Sequence, residues 1–596
     1  MIVASTIAAN RSGGRGGGID FTPSSNATLK IENSIVAGNL DGGSAPDLAP
    51  PLTHSDTLLV RHSLIGDNTG TDLVESQVQD VDGNLIGAPS PGAGIIDPLL
   101  LQLGNYGGRI PSRPLDDASP AINRGDLAWS AAFDFDQRGI GFPRLSGGRP
   151  DMGASERQAV SLNRFIVNTA EDELNFANDT VSLREAIYSA NGSVGTDVIT
   201  FDPSAFTAPS VIPLSLGQLE ITDSLTIEGL GRDSLSIDAQ GFSRVIQFLG
   251  TRGDLSLSGL TVTGGSTSDS GGGIYFQPLA GTLSLSEMRV AANNAAASGG
   301  GIDSLGDTFI DGSEISGNRA TAGGGGISAT RVTVTSSEIF DNVTTSDGAG
   351  GGGIAAETAT ILDSVLANNS TDAIGAHGGA LSVAVADVTG SLIRDNHARV
   401  ASGGAIASSQ SLRLIGTTIT GNTSGGDGGG IHATTDGSMA VSMSMSSVSL
   451  NTASADGSRG GGIFASGNIV LTDSTLSGNQ SLGAGADGGG VFVSTGSVEI
   501  LRSTVAANTA TRAGGGLLVP FNHPSPVTIR NAIFALNSDS GIAPNFRGIL
   551  NLNDLDVDFS LIDDNTGTAL AESQVTSPRG NLIGRPAPSG SGVIDA

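Results

Sequence analysis

Val332-Thr-Val-Thr-Ser-Ser-Glu-Ile-Phe-Asp-Asn342 is the phrase from which the rest of the chain can be read. Val332, Val334 and Ile339 are apolar, polar or small residues separate them, and Asn342 closes the phrase. Alternation over four or five positions is the period of a half-buried strand, and the slip between the two apolar columns marks a corner between two short strands. The phrase returns at Leu29 to Asn39, Leu412 to Asn422, Ile469 to Asn479, Val498 to Asn508 and Val527 to Asn537.

Counting a degenerate first rung at Gly265, the closing positions are Asn293, Asn318, Asn342, Asn369, Asn396, Asn422, Asn451, Asn479, Asn508 and Asn537, about 27 residues apart. Eight residues before each stands an apolar column from Leu257 to Ile529, and three before stands another from Val262 to Phe534. A second signal, Gly-Gly-Gly followed by an aliphatic residue, recurs at Ile274, Ile302, Ile327, Ile354, Ile431, Ile463 and Val491, with relaxed forms at Leu381, Ile406 and Leu517. It predicts a third short strand, hence a third wall, in each coil. A coil of three strands cannot bury its own inner face, so successive coils must stack, like residue over like. The predicted fold is all-β: a right-handed parallel β-helix, a solenoid of two tandem modules with a short helical cap on the second.

The recurrent Asn reads as scaffold, because Asn tolerates the left-handed backbone of a tight corner and stacked amides can hydrogen-bond from coil to coil. Few copies satisfy the Asn-x-Ser/Thr glycan signal. The triple glycines never precede a Lys-Ser/Thr pair or a helix, so they read as turns and not as phosphate loops.

Composition narrows the function classes. Acidic residues outnumber basic ones 59 to 29, a formal charge of −30, which disfavours nucleic acid and anionic membrane surfaces as partners. The absence of cysteine removes disulfides, thiolate metal sites and cysteine nucleophiles. No apolar run is long enough to span a bilayer, and Met1 does not begin a signal peptide, so an export signal is expected outside this chain.

Ser63-Leu-Ile-Gly-Asp-Asn-Thr-Gly-Thr matches Ser560-Leu-Ile-Asp-Asp-Asn-Thr-Gly-Thr at an offset of 497, and Ser5-Thr-Ile-Ala-Ala-Asn matches Ser503-Thr-Val-Ala-Ala-Asn at 498. The expected organisation is the closing coils of a first β-helix module over 1–95, a segment of different character over 96–157, an N-terminal cap over 158–206 and a second β-helix module over 207–596. Both ends read as cut within a module. Ile96-Asp-Pro-Leu-Leu, Asn105-Tyr-Gly-Gly, Ser119-Pro-Ala-Ile-Asn, Phe135-Asp-Gln-Arg-Gly and Asp151-Met-Gly-Ala-Ser-Glu156 resemble the choice-of-anchor Q domain, which follows β-helices in bacterial surface proteins. Phe165-Ile-Val-Asn-Thr, Val181-Ser-Leu-Arg-Glu-Ala-Ile and Asp197-Val-Ile-Thr-Phe resemble the CSLREA domain that opens many such β-helices, with Val181 where that family has cysteine. Ser182 and Glu185 form a capping box, and Leu183, Ala186, Ile187 and Ala190 share one helical face, so a short helix is expected over the apolar end of the second module.

The best catalytic constellation is Asp341, Asp395, Arg394 and His397, since the two aspartates occupy one template position two coils apart with Asn368 between them. A stacking repeat of about 4.8 Å would set them near the upper limit of carboxylate spacing in inverting glycosidases. No cofactor is expected; Asp554, Asp556 and Asp558 alternate and face one side, the arrangement of a structural calcium site, but without the glycine turn and closing Glu that such a site uses. Asp134 and Asp136 read as capping-loop residues, and the six histidines, His54, His62, His377, His397, His432 and His523, share no metal-ligand spacing. Charges scattered over short Gly, Ser, Thr and Ala corners predict a smooth exterior. The functional expectation is a non-enzymatic structural and adhesive module of a secreted or cell-surface bacterial protein, with a surface glycan or protein as partner. The alternative is a carbohydrate-active enzyme, a polysaccharide lyase or inverting glycoside hydrolase.

Overall fold

The computed structural model describes residues 1–21, 27–42, 45–49, 57–89, 94–104, 111–116, 118–130, 133–139, 142–146, 148–157, 162–193, 196–207, 209–348, 350–520, 526–540, 543–548, 555–566, 568, 570–573 and 578–584. The chain divides into two compact units, one of residues 1–163 with 193–196, the other of residues 164–192 with 197–596.

One coil of the larger unit shows how the phrase folds. Strand Ile302–Asp311 is followed by a corner at Gly312 and Ser313, strand Glu314–Ser316, a second corner at Gly317 and Asn318, and strand Arg319–Ala320. A glycine turn then leads into Ile327–Thr335 of the next coil. Neighbouring coils pair in parallel with like over like, Ile302 beside Ile327, Ile310 beside Val334 and Ile315 beside Ile339. Repetition builds three parallel sheets of 21, 15 and 10 strands among the described residues. The molecule is an all-β parallel β-helix.

The inward columns fill the interior. Val334, Ile339, Ile361, Leu366, Val388 and Ile393 are all fully buried, each such side chain contributing about 1.5–3 kcal/mol of transfer free energy. Outward residues alternate with them, as the period of a strand requires.

Two details differ from the sequence reading. The glycine-led strand does not form its own wall: Ile302–Asp311 runs unbroken into the first strand of the phrase, because no residue between Gly299 and Gly312 takes a left-handed backbone. The third wall is instead the dipeptide that follows each Asn, such as Arg319–Ala320 and Val343–Thr344, paired in parallel. Nor does the Asn itself make the corner. The left-handed residue is the one before it, Asp341 (φ 56°), Asn368 (φ 54°), Asp395 (φ 56°) or Leu450 (φ 58°), which leaves the Asn free to aim its amide inward.

The glycine turn follows from contacts. Gly324 has φ +71°, a conformation that side-chain-bearing residues rarely adopt. A Cβ on Gly325 would collide with the carbonyl of Gly352 in the next coil, and one on Gly326 would stand 3.0 Å from the Asn342 amide carbon.

At the start of the larger unit, helix Leu183–Gly192 buries Leu183, Ala186, Ile187 and Ala190 in the same core as Leu219 and Ile221. Its capping box is formed: the Glu185 amide donates to Ser182 Oγ at 3.1 Å, and the Ser182 amide donates to the Glu185 carboxylate at 2.8 Å. Ser182→Ala is expected to cost about 1 kcal/mol, read as a lower urea midpoint with an unchanged slope; no shift would contradict the cap.

The smaller unit has the same parallel logic. Ile2–Val3, Thr28–Glu32 and Thr57–Arg61 form one sheet, and Thr6–Ala8, Ile35–Ala37, Leu64–Ile65 and Leu85–Ile86 another. Leu115, Ala121 and Met152 from the following segment bury against Ile35, Leu64 and Leu85. The internal sequence match is repeated in geometry: the Ser63 amide donates to Asn84 Oδ1 and the Ser560 amide to Asn581 Oδ1, at 3.2 and 2.9 Å.

Candidate functional site

The deepest polar feature is the amide column. From Asn293 to Asn537 each Nδ2 donates to the Oδ1 of the next Asn at 2.9–3.0 Å, through Asn318, Asn342, Asn369, Asn396, Asn422, Asn451, Asn479 and Asn508. The same Oδ1 accepts the backbone amide of the preceding Asn, as Asn342 Oδ1 does from Asn318 at 3.0 Å. The second Nδ2 hydrogen reaches a main-chain carbonyl, that of Ile315 for Asn342 at 2.8 Å. Both donors and both lone pairs of each buried amide from Asn318 to Asn537 are therefore used, while at the first rung Asn293 Oδ1 accepts the Gly265 amide at 2.8 Å. Asn537 passes the chain on to Asn545, which donates to Asp563 at 2.7 Å. A parallel column of hydroxyls runs beside it, the Ser313, Ser337 and Ser364 amides donating to Ser337, Ser364 and Ser391 Oγ at 3.0–3.1 Å.

The catalytic candidates are spread over a corner and the strand beyond it. Asp341 and Asp395 sit at the left-handed corner residue just before the buried Asn. Asp395 pairs with its neighbour Arg394 at 2.8 Å, both side chains about half exposed, and its Oδ1 lies over the next corner, 2.7 Å from where a Cβ on Gly421 would stand. His397 is beyond the corner on the third sheet, its Nδ1 2.6 Å from Thr423 Oγ1. Burial and then the Arg399 charge hold its pKa below the usual histidine value.

The outer face of the first sheet carries a feature the sequence does not announce. A groove of about 400 Å³ is lined by Gly350, Ala355, His377, Ser382, Ala407, Ser408, Ser409, His432 and Thr434. The expectation of a smooth exterior fails here. His377 and His432 stack with ring centroids 5.6 Å apart, and the stack continues from His432 to Phe464 at 4.9 Å and from Phe464 to Phe492 at 5.6 Å, all within 8° of parallel. Arg459 lies 5.0 and 5.3 Å from the centroids of the two phenylalanines while pairing with Asp427 at 2.7 Å. Phe464 and Phe492 are only 6% and 5% exposed; stacked on one another, they are structural neighbours of the groove and not sugar platforms.

Burial, and next the His377 charge, push the His432 pKa down to about 4. The unfolded histidine binds its proton below about 6.5 while the folded one does not until about 4, so stability is lost as pH falls through that window. His432→Phe should keep the stack and remove up to about 3 kcal/mol of this acid sensitivity, measured as denaturant midpoints from pH 7 to 4. An unchanged pH slope would contradict the assignment.

Elsewhere, Asp556 and Asp558 are held by arginine: Arg530 approaches Asp556 at 2.9 Å, and Arg579 pairs with Asp556 and, at 2.6 Å, with Asp558. Asp554, His54, His523 and Asn105-Tyr-Gly-Gly lie outside the described residues. In the smaller unit Asp136 pairs with Arg138 at 2.6 Å, and the buried Arg144 donates to the carbonyls of Asp151 and Gly153 at 3.1 and 2.8 Å. Glu156 accepts the Ser146 and Asp151 amides at 3.0 and 2.8 Å, and burial followed by the Asp151 charge pushes its pKa up to about 7. These contacts tie the loop around Asp136 to Asp151 and Glu156. The candidate site is thus the first-sheet groove. Its residues are scattered from Gly350 to Thr434 in sequence, and only the coil register brings them together. No protein-family model, curated protein or solved structure matches this chain.

Proposed function

We propose that this chain is an extended, non-enzymatic structural and adhesive module of a secreted or cell-surface bacterial protein. The single observation that carries the reading is the placement of Asp341, Asp395, Arg394 and His397: the two aspartates take the left-handed corner position, His397 lies beyond it on the third sheet, and Asp395 is paired with Arg394. Catalysis by a carboxylate pair needs both groups to flank one bound substrate. The continuous amide column favours a rigid spacer, because each coil is fastened to the next by buried, fully satisfied hydrogen bonds. No helix among the described residues is long and apolar enough to cross a membrane. The surface location rests on the resemblance of 96–156 to the choice-of-anchor Q domain and of 163–206 to the CSLREA domain.

Incubating the purified chain, with and without calcium, with pectic, alginate and neutral polysaccharides, while following reducing ends and unsaturated products, tests the reading. No turnover is expected. Turnover abolished by Asp341→Asn or Asp395→Asn would replace the structural module with an enzyme.

A further inference from the structure

The groove on the first sheet has a chemistry of its own. Its lining contains no Asp, Glu, Lys or Arg among the described residues, in a protein of formal charge −30. What it offers is hydroxyls and imidazoles: Ser382, Thr434 and His432 are half-buried, Ser409 is exposed, and none of these four side chains hydrogen-bonds to a described residue. Ser408 donates to the Ala384 carbonyl at 3.1 Å, leaving its lone pairs, and the Ser402 amide donates to His377 Nδ1 at 3.2 Å. With Nδ1 accepting that bond, Nε2 carries the ring's hydrogen and is left to donate.

We infer that this groove binds a neutral polysaccharide lying along the solenoid axis, with Ser382, Ser409, His432 and Thr434 as its hydroxyl-pairing residues. The inference deepens the adhesive reading and rests on it. Three observations choose this occupant. Donors and acceptors alternate with alanine on a sheet face whose strands are already paired on both sides, so an added peptide strand finds no free backbone edge here. Outward positions recur once per coil, about every 4.8 Å, comparable to the length of one extended sugar residue; in this groove they read Ala355, Ser382, Ala407 and His432, so a polymer lying along the axis meets a hydroxyl or an imidazole at every second coil. The uncharged lining offers an acidic polymer no counter-charge, and the net charge of −30 on the chain opposes its approach.

Affinity electrophoresis of the full chain through gels containing mannan, laminarin or hydroxyethyl cellulose, beside polygalacturonate and alginate, tests the inference. Retardation by at least one neutral polymer and by neither acidic one is expected. Ser409→Arg and Thr434→Arg, which place bulk and charge in the groove, should weaken that binding by about tenfold or more, with an unchanged circular dichroism spectrum. Thr475→Arg, on the second sheet, should leave it intact. Retardation by none of the neutral polymers, by acidic polymers alone, or undiminished in both groove variants would overturn the inference. Released reducing ends would instead overturn the non-enzymatic reading, so the two failures are distinguishable.

Discussion

Asn422→Leu is expected to destabilise the protein by about 3 kcal/mol, the cost of leaving buried polar groups unpaired. The Asn422 amide donates to Asn451 Oδ1 at 2.9 Å and to the Ile393 carbonyl at 3.1 Å, and its oxygen accepts both the backbone amide and Nδ2 of Asn396 at 2.9 Å. Leucine is close in volume but satisfies none of these, and water cannot replace them at a position with no exposed surface. The neighbours keep part of their bonding, since Asn396 Nδ2 also reaches the Leu366 carbonyl at 2.9 Å, which keeps the loss below the sum of four separate bonds. Denaturant unfolding gives the number. A change below about 0.5 kcal/mol, the range of ordinary surface substitutions, would mean that the column is not under load.

Gly352→Ala is expected to be more damaging still. A Cβ there would run into the carbonyl oxygens of Gly379 in the next coil and of Ser370, both main-chain atoms that cannot rotate away. Overpacking typically costs about 1–3 kcal/mol and more where the neighbours cannot yield, so loss of soluble, cooperatively folding protein is the predicted outcome. Gly348→Ala is the control. Gly348 has φ +73° but nothing within 4 Å of its would-be Cβ, so it should lose only the left-handed penalty of about 1–2 kcal/mol. Equal effects of the two substitutions would contradict the close coil stacking.

The stacking of coils was legible in the sequence because it depends on side-chain period. Val334 and Ile339 recur in every coil with their polarity intact, and Asn342 closes each phrase in step with them. Which residue turns the corner was less legible: left-handed backbone at Asp341, Asn368 or Leu450, and at Gly317, Gly421 or Gly478 in other coils, leaves no common residue type, since what the corner shares is a backbone conformation. The merging of the glycine-led strand into the next first strand was hidden for a related reason. A corner is marked by a φ value, and Asp303-Ser-Leu-Gly-Asp307 contains nothing that distinguishes a bend from an extended run. The groove was least legible of all. His377 and His432 stand 55 residues apart in the numbering, and their stacking follows from loop geometry across two coils, which no local period encodes.

The arginines illustrate the same limit from the charge side. Arg331 with Asp307, Arg413 with Asp387 and Arg502 with Asp473 are pairs one coil apart, at 2.5–2.8 Å. Individually these exposed pairs count for little in stability, but each places an arginine against a carboxylate of the adjacent coil. A sequence view sees only scattered charges.

Native-state hydrogen exchange followed by mass spectrometry tests most directly the claim that the buried amide column fastens each coil to the next. The backbone amides of Asn318, Asn342, Asn369, Asn396, Asn422, Asn451, Asn479 and Asn508 each donate to the side chain of the next Asn. Peptides spanning them should therefore exchange slowly and as a contiguous protected block, with opening free energies approaching that of global unfolding in the central coils. Exchange of those peptides at the rate of unstructured chain, while the flanking strands stay protected, would contradict the account.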